Sequence, residues 1–248
     1  MKSSWILCAL PAGIVIFSTC LLQAQLINVD FNNNSYGSGH GGPNPGPTMS
    51  GAAVLGALGD QWNGINTSNG TAIPLIYANG SNSPVTMTFT SGGGYDANSY
   101  GGSTPFAGTP YDPLMEDYLF TKGTPQTITL SGLVANSSYN AVLYNAGDNA
   151  SAGRTIYFTV NGLTLSSTWN ASSSNFIAGI DYVEFSSTWS DGSGNMVITW
   201  TGNGSAEADI NGFQIQLAAP QPPPPQPTLG VAPAGQQSVL YWPAISAT

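Results

Sequence analysis

Asn161-Gly162 lies between two segments in which apolar and polar residues alternate. Both central residues of a two-residue type I′ turn take positive φ, which Asn and Gly tolerate, so this pair predicts a tight β-hairpin over residues 155–167. The register then places Val160 opposite Leu163 and Phe158 opposite Leu165, with Ile156 on the same face. Because that face is apolar and the other carries Tyr, Thr and Ser, the hairpin belongs to a sheet with one buried face.

Short segments of the same kind recur along the chain, separated by Gly, Asn and Pro. They span residues 26–31, 84–90, 127–130, 139–144, 182–185, 196–200 and 213–217. No stretch after residue 24 shows a helical period with capping residues. Many short strands joined by turns predict an all-β domain, an antiparallel β-sandwich or a barrel.

The first 24 residues have the pattern of a cleaved export signal. Lys2 precedes an apolar run, and Ala24 supplies a small residue at the expected cleavage site. A membrane anchor is the alternative, but Pro11 and Gly13 interrupt the run and a strand-like segment follows at once. A lipoprotein site at Cys20 is disfavoured by the preceding threonine. We therefore predict a secreted or cell-surface protein with no membrane span after cleavage.

A proline-rich segment at 220–227 marks the end of the predicted β domain, which spans residues 25–219. Such a run adopts polyproline II and cannot join a sheet, so it acts as a linker. Residues 228–248 contain a strand-like run at 238–242, but about 20 residues cannot bury a core alone. They are either the start of a further β module in a longer chain, with downstream domains, or a disordered tail.

Charge excludes one class of partner. Only 6% of the residues are charged and the formal net charge is −9. Beyond the predicted signal, Lys122 and Arg154 are the only strong bases. A nucleic-acid-binding protein neutralises phosphates with Lys and Arg, so nucleic acid is excluded as a partner, and an anionic membrane surface is disfavoured. Cys8 and Cys20 lie in the signal, so the mature chain has no disulfide and no thiol chemistry.

Several motifs together resemble a known class of domain. They are Ile27–Phe31, Gly59–Gly64, Ser131–Leu133 followed by Tyr139–Tyr144, and Asp209–Ile215. Residues 26–218 resemble the jelly-roll sandwiches of the galactose-binding-like and malectin-like class, and are similar to exported bacterial proteins with a PEP-CTERM-type sorting anchor, although no such anchor is visible. The segment after the linker resembles the first strands of a fibronectin type III-like module.

The resemblance implies a domain that binds sugars without cleaving them, and it implies a structural calcium ion. Asp30, Asn32 and Asp209 match the places where such folds bring the first and last strands together, so they are the candidate calcium ligands. Their oxygen atoms suit this hard cation. The alternative is that these residues cap turns and strand ends, where Asn and Asp are common.

Candidate sugar-binding residues are aromatic side chains in loop-like segments, some beside an asparagine. An aromatic ring stacks on the C–H face of a pyranose, and planar polar groups bind its hydroxyls. The candidates are Trp62, Asn63, Tyr95, Tyr100, Tyr111 and Trp169. The alternative for the two tryptophans is burial in the core, and Trp200 is expected in the core because it alternates with Met196 and Ile198.

The residues offer little for catalysis. His40 is the only histidine, and no Gly-x-Ser-x-Gly motif accompanies it. Glu116 and Asp117 are adjacent, so we expect them to be solvated rather than placed across a substrate, and we expect the same of Asp181 and Glu184, which point to opposite faces of a strand. The chain is therefore predicted not to be an enzyme. The sequence favours an exported carbohydrate-binding domain that takes a polysaccharide or glycan, and the alternative is a structural surface or matrix module without a small ligand.

Overall fold

The computed structural model describes residues 25–32, 46–97, 104–147, 152–204 and 206–219, together with the backbone of 230–234 and 237–241. The predicted signal, His40, Tyr100 and the proline-rich linker lie outside these residues. Within them, no helix is long and apolar enough to cross a membrane.

The first of two large sheets has five strands. In chain order they are β1 (Leu26–Asp30), β2 (Asn63–Gly64), β8 (Ser138–Tyr144), β11 (Tyr182–Trp189) and β14 (Gly212–Leu217). Their spatial order is β11-β8-β14-β1-β2, and all neighbours are antiparallel except β1 and β2. The first strand of the domain thus lies beside the last one, as the resemblance implied.

The second large sheet has six antiparallel strands. They are β3 (Gly70–Ile76), β4 (Asn82–Phe89), β7 (Gln126–Ser131), β9 (Thr155–Val160), β10 (Leu163–Thr168) and β12 (Met196–Gly202). Their order is β10-β9-β12-β7-β4-β3. The two sheets form the antiparallel all-β sandwich of jelly-roll type that the sequence predicts, and each segment predicted as a strand lies wholly or largely within one.

Three shorter strands form a small antiparallel sheet in the order β13-β6-β5. They are β5 (Gly93–Asp96), β6 (Asp117–Lys122) and β13 (Glu207–Ile210), and a five-residue helix, α1 (Asp112–Glu116), leads directly into β6. Beyond the β domain, β15 (Gly230–Ala234) and β16 (Gln237–Tyr241) form a separate hairpin. The sequence analysis did not predict α1, nor the strands β2, β3, β5, β6 and β13.

The predicted hairpin at Asn161-Gly162 is confirmed. Both residues have positive φ, 51° and 80°, and Val160 pairs with Leu163. One detail differs, because the side chain of Leu163 is 56% exposed rather than buried with its neighbours. It lies at the start of β10, an edge strand, where fewer neighbours cover it.

The main hydrophobic core fills the space between the two large sheets. Phe31 contacts Phe89 and Phe213 there, at ring-centroid distances of 5.4 Å and 6.2 Å. Trp200 is fully buried in the same core, as predicted. The alternating residues of both sheets therefore supply the burial that stabilises the sandwich.

A second apolar cluster covers the outer face of the five-stranded sheet. It contains Trp62, Phe106, Leu114, Tyr144 and Trp169. Residues of loops and of the short helix thus bury a sheet face that would otherwise contact water. This overturns the prediction that β1 is half-buried, because all five of its residues are buried.

The outward polar residues of the five-stranded sheet are therefore paired rather than hydrated. Gln214 donates to the amide oxygen of Asn28 at 2.8 Å and accepts hydrogen bonds from Tyr144 and from the Leu55 amide. Asn28 in turn donates to the Gln61 carbonyl at 3.0 Å. These bonds offset the cost of burying polar groups.

Candidate functional site

The small three-stranded sheet lies where β1 ends and has two chemically different faces. Asn211 ties the two regions together, because its side-chain amide donates to the Asp117 carbonyl at 2.8 Å while its main-chain carbonyl accepts a bond from the Phe31 amide. Leu119 and Ile210 point into the main core. Since neighbours along a strand alternate between faces, Phe120 and Asp209 point the other way.

The outer face of this sheet is termed here the aromatic–ionic face. Its members are Tyr95, Tyr118, Phe120, Lys122, Arg154, Glu207 and Asp209. Tyr95 pairs across the strands with Tyr118 at a centroid distance of 5.5 Å, and the Lys122 ammonium lies 5.7 Å from the Phe120 ring centroid. Tyr95 and Phe120 are partly exposed, whereas Tyr118 and Asp209 are buried. Aromatic rings and charged groups thus lie on one face of the small sheet.

Ion pairs connect the charged members of this face. Lys122 Nζ lies 2.8 Å from Glu207 Oε2, and the Arg154 guanidinium contacts the other Glu207 oxygen. Arg154 also lies 3.2 Å from Asp209 Oδ2. Glu207 therefore bridges Lys122 and Arg154, and this arrangement fixes the guanidinium as an oriented set of donors.

On the inner side of the same sheet lies an acidic cluster, made of Asp30, Asn32, Asp96, Glu116 and Asp117. Asp96 and Asp117 pair directly across β5 and β6. Burial, strengthened by the charges of Asp96, Glu116 and Asp30, raises the pKa of Asp117 to about 9. Burial likewise raises the pKa of Asp30, against the effect of a hydrogen bond from the Met49 amide. With that pKa, Asp117 holds a proton at neutral pH unless a cation replaces it.

Several oxygens of the acidic cluster have no hydrogen-bond partner among the described residues. They include Asp30 Oδ1, both carboxyl oxygens of Asp117 and Asn32 Oδ1. These three side chains are at most 3% exposed. Asn32 uses its other atom, Nδ2, to donate to the Gly46 carbonyl at 3.2 Å and to Thr48 at 2.9 Å. Unpaired buried oxygens are costly, and here they come from three neighbouring residues.

Gly46 joins Asn32 to Asp117. Its amide donates to the Asn32 carbonyl at 3.3 Å, and a Cβ atom built on it would lie 2.1 Å from Asp117 Oδ2. Because Gly46 has no side chain, the carboxyl group of Asp117 can lie close to its backbone.

This donor set fits calcium rather than a transition metal. In the described part of the chain, no three Asp, Glu, His or Cys side chains converge closely enough to hold a metal by themselves. Buried oxygens without a hydrogen-bond partner among the described residues belong instead to the carboxyl groups of Asp30 and Asp117 and to the amide of Asn32. Carboxylate, amide and main-chain oxygens are the ligands that calcium takes. Of the three predicted ligands, Asp30 and Asn32 lie two residues apart at the end of β1, whereas Asp209 faces Arg154 on the opposite side of the sheet.

The predicted sugar platform at the two tryptophans is wrong. Trp62 is 6% exposed, and its indole donates to the Gly51 carbonyl at 2.8 Å. Trp169 is 1% exposed in the same apolar cluster. The side chain of Asn63 is also occupied, because it bonds both the amide and the carbonyl of Ile76. The two tryptophans therefore pack in the cluster that covers the five-stranded sheet, and Asn63 links β2 to β3.

The predicted tyrosines have different surroundings. Tyr95 lies on the aromatic–ionic face and is partly exposed. Tyr111 instead packs on Phe176 at a centroid distance of 4.6 Å, next to the second apolar cluster. Tyr100 is outside the described residues.

Two expectations about acidic residues are also wrong. Asp117 and Asp181 were expected to be solvated, but each is 1% exposed. Asp181 accepts a hydrogen bond from the Ile177 amide at 2.8 Å, and burial raises its pKa to about 6. Asp181 precedes β11, whereas Glu184 lies within that strand and is exposed.

The sequence analysis missed Phe120, Lys122, Arg154 and Glu207 as site residues. Glu207 lies 53 residues from Arg154 in the sequence, so no local motif joins them. The sequence offered one signal, the rarity of strong bases, because only Lys122 and Arg154 occur after residue 24. In the structure both of them contact Glu207.

No protein-family model matches this chain, and no curated protein matches it. Among solved structures, an exo-β-1,3-galactanase from Phanerochaete chrysosporium with galactose is 21% identical over 51% of this chain and 29% of its own, with a TM-score of 0.28. The module TmCBM61, in complex with β-1,4-galactotriose, is 14% identical over 55% of this chain and 90% of its own, with a TM-score of 0.30. A family 35 carbohydrate-binding module from Clostridium thermocellum is 16% identical over 54% and 89%, with a TM-score of 0.27. The match thus spans less than a third of the galactanase chain. Structural similarities this low do not indicate which ligand this chain binds.

Proposed function

We propose that this domain binds a glycan, without cleaving it, through the aromatic–ionic face. The observation that carries the proposal is the meeting of Lys122, Arg154 and Glu207 beside partly exposed aromatic rings, in a chain with only 6% charged residues. Rings of this kind stack on sugar C–H faces, and oriented carboxylates and guanidinium groups exchange hydrogen bonds with hydroxyls.

The structural-module alternative is favoured by a separate observation. Two of the residues first expected to bind sugar, Trp62 and Trp169, are sealed inside the protein. If the domain only packs against other surface or matrix components, none of its remaining aromatic residues needs to contact a sugar. The two functions therefore differ in what they predict for Tyr95 and Phe120.

The deciding experiment is a polysaccharide pull-down and a glycan array with the natural sequence, Tyr95→Ala and Phe120→Ala. We expect each variant to weaken glycan binding about tenfold, the loss typical of one well-placed aromatic contact. The matched control is Tyr157→Ala, which removes a partly exposed tyrosine from β9 in the six-stranded sheet. Equal binding by Tyr95→Ala, Phe120→Ala and Tyr157→Ala, or no glycan bound by the natural sequence, would leave the structural module as the function.

We further propose that the acidic cluster holds calcium, through Asp30, Asn32 and Asp117. Calcium would supply a positive charge that lets buried carboxylates ionise, and would take up oxygens that have no other partner. Its role is to order this end of the sandwich beneath the aromatic–ionic face.

We propose that the protein acts outside the cytoplasm, as a secreted or cell-surface protein without residues 1–24. The support is the apolar run and the small residue at Ala24. Amino-terminal sequencing of the protein recovered from the producing cells tests this, because the mature chain should begin at Gln25. An intact Met1 would contradict it.

A further inference from the structure

We propose that the glycan taken by the aromatic–ionic face is neutral, a polymer without carboxylate or sulfate groups. This inference rests on the proposed function and narrows its substrate class. It follows from how the charges of the face are paired and from what lies behind it.

Each base of the face already has a carboxylate partner. Lys122 lies 2.8 Å from Glu207, and Arg154 contacts both Glu207 and Asp209. The two positive charges are thus matched by two negative charges within the face itself. An anionic sugar therefore finds no positive charge that lacks a partner, and it would approach two carboxylates already held on these bases.

The rest of the molecule, behind the face, adds net negative charge, because the ion pairs of the face balance one another. The whole chain carries a formal charge of −9. A uronate or sulfate group approaching this surface would meet a repulsive field, and the low polarity of the interior screens it little.

A neutral sugar meets the opposite situation. Its hydroxyls can donate to the oxygens of Glu207 and accept from the N–H groups of Arg154 that the ion pairs leave unused. The contact then needs no ion pair to break, because a carboxylate and a guanidinium each have more hydrogen-bonding positions than one partner occupies. Tyr95 and Phe120 supply rings for the apolar face of the same sugar.

The test compares one polymer in two charge states. A panel of neutral, uronate and sulfated polysaccharides first identifies what the natural sequence retains. The neutral polymer bound best is then oxidised so that its C6 hydroxyls become carboxylates, and both forms are titrated at low and high salt. We expect the oxidised form to bind about tenfold more weakly at low ionic strength, and the difference to shrink at high salt because screening weakens repulsion. A lost hydroxyl contact alone would not respond to salt in this way.

Glu207→Gln provides the second arm. It keeps the shape of the side chain but removes the charge that Lys122 and Arg154 share, so we expect it to bind the oxidised polymer more tightly than the natural sequence does. Retention of uronate or sulfated polymers in preference to neutral ones, or equal affinity for the two forms, would overturn this inference while leaving glycan binding intact. Retention of no polysaccharide would overturn the proposed function and this inference with it.

Discussion

The carboxylate of Asp117 occupies the space that a side chain at Gly46 would need. A Cβ atom at that position would lie 2.1 Å from Asp117 Oδ2 and 3.4 Å from Glu116 Oε1. A glycine here therefore allows the backbone at residue 46 to lie against the buried carboxyl group of Asp117. The contact links the segment after β1 to the start of β6, and several measurable consequences follow from it.

Gly46→Ala should destabilise the domain, because the added methyl group and the carboxylate cannot occupy the same space. We expect a loss of about 1–3 kcal/mol in the free energy of unfolding, typical of overpacking at a tight site. Urea unfolding measures it. The matched control is Gly192→Ala, where the nearest side-chain atom would lie 3.7 Å away in ordinary contact. Equal stability of the two variants would contradict the close approach at Gly46.

The sandwich itself could be predicted from the sequence because its strands obey one rule. In β9 and β12, buried residues alternate with more exposed ones, and in the hairpin the Asn-Gly turn fixes the register independently. Alternation reports one buried face and one exposed face. It therefore identified the strands of the two large sheets that follow that pattern.

The small three-stranded sheet with the candidate site could not be predicted in the same way, because the residues of its strands do not alternate between core and solvent. In β6, Asp117, Tyr118 and Leu119 are consecutive and all buried, so no period appears. Loops bury the outer side of the five-stranded sheet, which conceals the roles of Trp62 and Asp30. Which loop covers which face is set by contacts between distant residues, and a single sequence does not state them.

Asp117 should make the stability of the calcium-free domain fall as pH rises. Its pKa is about 9 in the folded protein and 3.8 is its ordinary value, so the folded state keeps a proton that the unfolded state releases. The contribution of this group is fully present below the ordinary value and is lost as pH rises through the folded one. Asp117→Asn removes this titration and should flatten the profile between pH 5 and pH 9, measured by urea unfolding in a chelator.

Asp181→Asn provides the comparison for the pH experiment. Asp181 is also buried, but its pKa is about 6, so its own titration is complete near that pH. Between about pH 7 and pH 9, Asp181→Asn should keep the slope of the natural sequence, whereas Asp117→Asn should show a smaller slope. Identical slopes for all three proteins in this range would show that Asp117 is already ionised in the folded state.

Calcium should raise the thermal midpoint of the natural sequence, because it binds the folded cluster and not the unfolded chain. A calcium concentration 100 times the dissociation constant corresponds to about 2.7 kcal/mol of stabilisation. Differential scanning calorimetry with calcium, magnesium and chelator measures the effect. We expect magnesium to do less, because it demands a stricter octahedral geometry.

The same measurement on variants locates the calcium site. Asp117→Asn and Asn32→Ala should lose the response, and Asp181→Asn should keep it because that residue caps a turn elsewhere. A full calcium response in Asp117→Asn would place the ion outside the acidic cluster. This test measures only the response to calcium, so its outcome does not depend on whether the domain binds a glycan.

Trp62→Phe should lower stability without changing glycan affinity. The substitution removes a buried ring and the hydrogen bond from the indole to the Gly51 carbonyl, so we expect a cost of about 2 kcal/mol. Its ring lies 6.4 Å from that of Tyr144 in the cluster on the five-stranded sheet, not on the aromatic–ionic face. Trp189→Phe is the matched control, because Trp189 is 56% exposed and should cost little. Unfolding in urea and binding to the retained polysaccharide give the two readouts, and a Trp62→Phe variant that kept full stability but lost binding would return the sugar contact to Trp62.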